Sequence, residues 1–513
     1  MMAAAIDAPA GQSPYRASMK FLALSLLAGL VSALGFAPLG LWPLTMIAFA
    51  ALLWLIEGAP SLRSALARGW WFGVGQFALG LNWIATAFTY QAAMPAWLGW
   101  LAVVLLSLFI AIYPAAAAGL AWRWGRQHRL ALVLVLAAAW IVTEWLRATL
   151  FSGFAWNPIG VTLVGRSIAG LSALVGTYGL GAMVILFAGL IWIALLGPNR
   201  RPALILAAAA LAAQLAAFLA VGVPPTGAGA DIRIVQPNIG QQNKWDPGFE
   251  AENFRRLARL SGRPGAAPRL ILWPEAATPD FLTYERRPRR RLAALIGPDD
   301  LLLLGGVEPV FAADGRGVAA FNSVYVLSSD AVLRGRYDKA HLVPYGEYLP
   351  MRPLLSAIGL SRLAPGDLDF WGGRGPRTLD LGRFGRAGVQ VCYEIIFSGQ
   401  VVDRADRPDF IFNPSNDAWF GSWGPPQHLA QARLRAIEEG LPVIRATPTG
   451  ISAVIDAQGR VLDSLPLGAA GAIESRIPRA APPTLFARFG NLLSFAFALL
   501  LVAGAIAVGR KRR

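Results

Sequence analysis

Eight long apolar runs divide this chain. They lie near residues 18–36, 40–57, 68–90, 95–122, 129–146, 168–197, 203–222 and 486–508. Each approaches the roughly 20 residues that carry a helix across a bilayer core. Between the seventh and eighth runs the pattern changes to short period-two stretches, including Ile232–Val235, Leu270–Trp273, Leu301–Leu304, Ser323–Leu327, Val389–Val391, Phe410–Phe412 and Ile451–Ile455. Helical stretches such as Phe249–Ser261 and Pro426–Glu439 fall between them. Alternating strands and helices predict an α/β sandwich. The expected organisation is a membrane domain of seven transmembrane helices over 1–222, an extramembrane domain over 223–485, and an eighth helix with a basic tail over 486–513. The Pro/Gly linker at Val223–Gly229 marks the first boundary.

Composition sharpens this picture. Charged residues make up 15% of the chain and mean hydropathy is +0.49, against about 25% charged in ordinary soluble domains. The net charge of +16 raises the question of nucleic acid, but its distribution favours a topological explanation, and no nucleic-acid partner is expected. Arg16 and Lys20, Arg63 and Arg68, Arg123, Arg126 and Arg129, Arg200 and Arg201, and the terminal Arg510, Lys511, Arg512 and Arg513 fall in alternate connections, all on one side of the spans. The opposite connections, at Pro38-Leu39-Gly40 and Gln91–Ala96, are bare, and only Arg147 and Arg166 go against the pattern. Basic loops stay in the cytoplasm. Both termini are therefore expected inside and the 223–485 domain outside the cytoplasmic membrane. No small-residue cleavage site follows the first run, which reads as an uncleaved helix.

Two features of the spans stand out. Glu144 is ionisable within or near a span, where such groups are expected either to function or to pair, and Arg147 one turn on is a ready partner. Phe154–Gly160, in the 147–167 connection, combines aromatics with Asn, Pro and Gly; this fits an interfacial or re-entrant element, and somewhat better an ordinary loop with an aromatic membrane anchor. Frequent Gly and Ala predict close helix–helix approach.

Three segments of the outer domain carry candidate chemistry. Leu270–Trp273 leads through Pro274 to Glu275, a carboxylate at the end of an apolar strand. Lys339 lies in Tyr337–Pro350, a loop dense in aromatics and prolines. Cys392 is the only cysteine, so no intramolecular disulfide is available to it. It ends a strand in which Val389 and Val391 face one way and Gln390 and Cys392 the other. A lone cysteine commonly fills a core. A thiol with a general base and an ammonium nearby is instead a nucleophile: the base removes its proton and the cation favours the thiolate. His341 and His428 are the alternative bases, in a cysteine–histidine dyad, and His128 falls in a cytoplasmic loop. No metal-binding or phosphate-loop motif is present, and neither cofactor nor metal is expected.

The order Glu275, Lys339, Cys392, within Trp-Pro-Glu at 273–275, Leu-Val-Pro-Tyr-Gly-Glu at 342–347 and Cys-Tyr-Glu at 392–394, resembles the nitrilase (carbon–nitrogen hydrolase) superfamily. Asn416–Gly421, Arg435–Glu438, Gln236–Ile239 and Lys244–Pro247 fit as well. A nitrilase-like domain set between seven spans and an eighth resembles that superfamily's membrane-embedded family, the apolipoprotein N-acyltransferases of Gram-negative bacteria. The resemblance implies an αββα sandwich, with Glu275 as general base, Lys339 as electrostatic partner and Cys392 as nucleophile. It implies support from Glu347, Tyr393 and Glu394, with Trp245 lining the substrate approach. It also implies acyl transfer by a monomer from a membrane phospholipid, through a thioester, to the α-amino group of a diacylated lipoprotein. Two positions depart from the family pattern: Pro448 stands where asparagine is usual, and Leu441 where arginine is common. The competing reading is a membrane-anchored nitrilase-type amidase, which hands its acyl group to water.

Overall fold

A computed structural model describes residues 14–90, 95–196, 201–222, 228–265, 267–357, 362–363 and 369–510. The 223–227 part of the linker, residues 91–94 of the bare connection, and Arg200, Lys511, Arg512 and Arg513 lie outside these. A helix covers each apolar run. These are Pro14–Ala33, Trp42–Glu57, Leu62–Gly80, Leu98–Ile110 continuing through Ile112–Gly125, Arg129–Thr149, Ser172–Leu196, Arg201–Val221 and Leu492–Arg510. Among the described residues four helical stretches are long and apolar enough to cross a membrane: Leu98–Gly125, Arg129–Ser152, Ser167–Leu195 and Leu492–Arg510. Met19–Ala33, Trp42–Glu57 and Ala207–Leu219 are shorter apolar helices. Leu62–Gly80 carries Arg63, Arg68, Gln76 and four glycines, which dilute its apolar character.

Glycine sets the spacing of the first and third helices. A Cβ on Gly29 would lie 2.0 Å from the Phe72 carbonyl oxygen, and one on Gly75 would lie 2.2 Å from that of Leu26. The two backbones approach to a distance that only glycine permits.

Among the described residues the outer domain has twelve strands in two six-stranded sheets. The strands are β1 (Ala228–Gln236), β2 (Leu270–Leu272), β3 (Leu301–Phe311), β4 (Gly317–Ser328), β5 (Leu333–Asp338), β6 (Thr378–Asp380), β7 (Arg386–Val389), β8 (Phe410–Pro414), β9 (Val443–Ala446), β10 (Ser452–Ile455), β11 (Val461–Leu465) and β12 (Gly471–Pro478). One sheet runs β12-β1-β2-β3-β4-β5 and the other β11-β10-β9-β8-β7-β6. The central pairs β1–β2, β2–β3, β7–β8 and β8–β9 are parallel.

Period-two alternation assigns the faces. Ile232, Ile234, Leu270, Leu272 and Leu303 share one core with Ala387, Val389, Phe410, Phe412 and Val443 of the other sheet. The opposite face of the first sheet packs Val235, Ile271, Trp273, Leu302 and Leu304 against Leu257 of helix Glu250–Ser261 and Leu292 of helix Arg286–Ala293. Helix Gly424–Glu439 covers the second sheet through Leu434 and Ile437. The layers are helix, sheet, sheet, helix. Each fully buried side chain of this kind is worth about 1.5–3 kcal/mol.

The last layer also joins the apolar helices. Glu438 Oε1 accepts from the N–H and Oγ1 of Thr177, both at 2.6 Å, just past the break in helix Ser172–Leu196 at Gly176. Ser398 Oγ donates to the same oxygen at 2.8 Å, and Arg435 pairs with Glu438 Oε2 at 2.9 Å.

Candidate active site

Glu275 follows β2 after Trp273 and Pro274, Lys339 follows β5, and Cys392 lies three residues beyond β7. Three strand ends in two sheets thus deliver the three candidate side chains to one place. All are buried: Glu275 is 6% exposed, Lys339 1% and Cys392 5%.

Lys339 Nζ pairs with Glu347 Oε2 at 2.8 Å and lies 3.7 Å from Glu275 Oε1. Asn322 of β4 bridges the two acids. Its Nδ2 donates to Glu275 Oε1 at 2.7 Å and to Glu347 Oε1 at 2.9 Å. Glu347 Oε2 also accepts from the Val343 N–H at 2.8 Å, closing its loop. Burial by itself lowers the pKa of the Lys339 ammonium. The charges of Glu347 and Glu275 outweigh it and raise the ammonium's pKa, so Lys339 is a permanent cation. The Cys392 thiol is pushed well up, by burial first and then by the charge of Glu275, with Lys339 opposing. Its resting form is therefore the thiol.

The strand expected to carry Cys392 stops early. Its ladder ends at Val389, and Gln390 and Val391 leave the sheet, although the Gln390 N–H still reaches the Phe412 carbonyl at 2.9 Å. Cys392 opens a 3-10 turn, Cys392–Ile396, with φ at +51°. That left-handed conformation costs a non-glycine residue on the order of 1 kcal/mol or more. The neighbours hold it there. Glu394 Oε2 accepts from the Val391 N–H at 2.7 Å, and Oε1 accepts from Tyr337 OH at 2.8 Å and from the N–H groups of Ala340 and His341 at 2.8 and 3.1 Å. One carboxylate therefore ties the cysteine turn to the lysine loop. Burial pushes its pKa up to about 7.

Neither histidine serves as a base to the thiol. His428 Nε2 meets the main-chain oxygen of Cys392 at 3.0 Å, and Nδ1 lies 2.9 Å from Asp417 Oδ1 and 3.0 Å from Arg445 Nη2. Burial and then Arg445 lower its pKa, so the ring is a neutral prop beneath the turn. His341 reaches the Ser152 carbonyl and stacks on Phe397 at 3.7 Å between centroids.

The 147–167 connection abuts the site, which corrects two expectations. Trp156 is fully buried rather than an interfacial anchor. It donates to Gln427 Oε1 at 2.8 Å and packs among Trp83, Phe420 and His428. Glu144 and Arg147 form no ion pair with each other among the described residues. Arg147 Nη1 donates to the carbonyls of Phe154 and Trp156, both at 2.8 Å, and Glu144 Oε1 accepts from the Ile159 N–H at 2.8 Å. Both residues pin the connection, because its irregular backbone leaves groups that a helix would have satisfied. Tyr393 OH donates to the Gly153 carbonyl at 3.3 Å.

Trp245 stands beside Lys244, whose Nζ is 5.6 Å from the indole centroid and donates to the main-chain oxygen of Glu275 at 2.9 Å. Sequence reasoning gave no role to Asn322 or Lys244. The available signal for Asn322 was a polar residue inside the apolar strand Val318–Leu327. Pro448 lines a cavity with Lys244, Trp273 and Glu275, and Leu441 is buried; the structure supplies no role for either substitution.

Two sheets sandwiched by helices, with glutamate, lysine and cysteine converging from three strand ends, define a carbon–nitrogen hydrolase domain, and the model of that family matches residues 231–481. The model of the apolipoprotein N-acyltransferase N-terminal domain matches residues 28–190. The chain is 37% identical to the apolipoprotein N-acyltransferase of Bradyrhizobium diazoefficiens over 96% of this chain and 94% of that one. It is 36% identical to that of Rhodopseudomonas palustris over 91% of each, and 37% identical to that of Caulobacter vibrioides over 94% and 93%. Similar solved structures include Saccharomyces cerevisiae Nit3, a member of the nitrilase superfamily, at 17% identity and a TM-score of 0.34, covering 50% of this chain and 93% of that one. The chain belongs to the apolipoprotein N-acyltransferase family.

Proposed function

We propose that Cys392 is the acyl-carrying nucleophile of an N-acyltransferase, with Glu275 its general base and Lys339 the cation that stabilises developing negative charge. The convergence of these three buried groups from separate strand ends carries the reading. Because the resting thiol is protonated, attack on the ester carbonyl of a phospholipid needs a base. Glu275 Oε2 is buried without a hydrogen-bond partner among the described residues and is the carboxylate oxygen that takes the thiol proton. The new S–C bond makes a tetrahedral oxyanion, held by Lys339 Nζ and the Tyr393 N–H. Stabilisation of this kind is worth about 3–4 kcal/mol per donor removed. Collapse breaks the ester C–O bond, and the proton on Glu275 goes to the departing oxygen, leaving a thioester and a lysophospholipid. In the second half the neutral α-amine of an S-diacylglyceryl-cysteine attacks the thioester. Glu275 takes a proton from nitrogen and returns it to sulfur as the C–S bond breaks, which gives the N-acylated lipoprotein.

On this reading the apolar helices hold the protein in a bacterial inner membrane, with the site at its outer face and the 223–485 domain in the periplasm. The alternation of basic loops supports that orientation, and contact between the 147–167 connection and the cysteine turn supports a site at membrane level. Trp245 lines the approach, and Glu347, Tyr393 and Glu394 hold the constellation. One chain supplies every member of it, which supports a monomer.

Mass spectrometry of the purified protein with phospholipid tests the proposal. An acyl adduct on Cys392 that a diacylated lipopeptide discharges is the expected result. Full lipopeptide acylation by Cys392→Ala, or discharge to water alone, overturns it.

A further inference from the structure

Two lysines flank the reactive cluster, and their surroundings differ. Lys339 has Glu347 at 2.8 Å and Glu275 at 3.7 Å. Lys244 has no carboxylate within 4.0 Å among the described residues. Its Nζ donates to the main-chain oxygen of Glu275 at 2.9 Å. Nζ and Trp419 Nε1 also lie 3.3 and 3.0 Å from one terminal atom of the Asn416 amide, which has the Gln241 side-chain amide 2.9 Å away; the two N–H donors make that atom the carbonyl oxygen, with the Gln241 amide turned to present its NH2. Both partners of the ammonium are neutral. Burial lowers the Lys244 pKa to about 8, with Glu275 and Cys392 near enough to oppose the shift. At neutral pH the group is therefore mostly charged, next to the nucleophile and lacking a counter-ion. A desolvated cation held only by neutral acceptors is costly, and an anion delivered with the substrate offsets that cost.

Resting on the acyl-transfer reading above, we infer that the Lys244 ammonium binds the phosphodiester of the phospholipid donor and so aligns the donor ester on Cys392. The reacting parts of the two substrates decide which one this is. The acceptor brings an uncharged diacylglyceryl thioether and an amine, whereas the donor carries its phosphodiester on the same glycerol as the ester under attack. Trp245, adjacent in sequence, and Trp419, on the same amide, give the charged pocket apolar walls.

The test uses the full-length protein in lipid nanodiscs, with Cys392 acylation followed by intact mass. Phosphatidylethanolamine and the phosphate-free ester p-nitrophenyl palmitate are compared as donors. In Lys244→Met the ratio of the two acylation rates, phospholipid over nitrophenyl ester, is expected to fall about 10- to 100-fold, the loss of one hydrogen bond to a charged group. Lys244→Arg restores most of it. A lysine that merely supports the Glu275 main chain would slow both donors alike. A ratio within about twofold of the unmodified protein's in Lys244→Met therefore overturns the inference. Failure of both donors to label Cys392 in the unmodified protein would instead refute the acyl-enzyme itself.

Discussion

Replacing Glu394 with Gln probes how the cysteine turn is held. The carboxylate accepts four hydrogen bonds, one from Val391 on one oxygen and three from Tyr337, Ala340 and His341 on the other. A glutamine has one acceptor oxygen and one NH2 group. With the oxygen toward the lysine loop, its NH2 faces the Val391 N–H, and a buried donor is left opposed to a donor. The loss is one charge-assisted bond, about 1.5–3 kcal/mol, plus a desolvation penalty of about 1–3 kcal/mol. A sum of roughly 2.5–6 kcal/mol is large against a stability of about 5–15 kcal/mol, and it falls on the segment that sets the φ of Cys392. The acylation rate of Cys392, measured by intact mass, is expected to fall at least about tenfold, with a lower thermal midpoint.

The pH dependence gives a second readout for the same variant. Burial raises this carboxyl from 4.5 to about 7 in the folded protein. The folded state therefore binds more protons between those values. The group's contribution is most favourable below about 4.5 and is lost as pH rises through about 7, by roughly 3 kcal/mol. Glu394→Gln removes that slope, so its thermal midpoint changes less than the unmodified protein's between pH 5 and 7.5. Unaltered acylation, midpoint and slope in the variant would refute the assignment of Glu394 as the tie between turn and loop.

Other perturbations separate the remaining parts of the site. Lys339→Met leaves Glu275 and Glu347 buried without their cation, at about 3–5 kcal/mol; no acyl adduct is expected, and differential scanning fluorimetry should show a lower midpoint. Asn322→Leu removes the donor shared by the two acids, about 1.5–3 kcal/mol for each hydrogen bond to a charge, and is expected to slow acylation at least about tenfold at unchanged Cys392 content. Gly153→Ala puts a Cβ 2.1 Å from the Ala148 carbonyl oxygen at a φ of +78°. It should displace the carbonyl that accepts from Tyr393 and lower lipopeptide acylation, and activity equal to the unmodified protein would show that this contact is idle.

Much of the architecture was legible because its signals are local. Hydropathy runs and period-two alternation follow from side chains that must face lipid, core or water within a few residues, so a helix lies over each apolar run and the strands fall near their expected places. The proposed trio could be singled out because its residue types are chemically distinctive: one cysteine in the chain, one glutamate at the end of a buried strand and one lysine in an aromatic loop. The backbone of the cysteine turn was not. Alternation continued the strand through Val391, while the ladder stops at Val389 because Glu394 captures the Val391 N–H and the chain turns.

By itself, then, the sequence determined the division into apolar helices and an α/β domain, and singled out Glu275, Lys339 and Cys392 as the candidates for chemistry. The tertiary structure alone decided what holds them. Asn322 joins Glu275 and Glu347 across 47 and 25 residues, Tyr393 meets Gly153 across 240, and Trp156 meets Gln427 across 271. His428 became a prop for the Cys392 carbonyl rather than a base for its thiol. Hydrogen bonds depend on direction and on distances of a few tenths of an ångström. No spacing along a chain encodes such geometry between residues that meet only when the sheets and helices have closed around them.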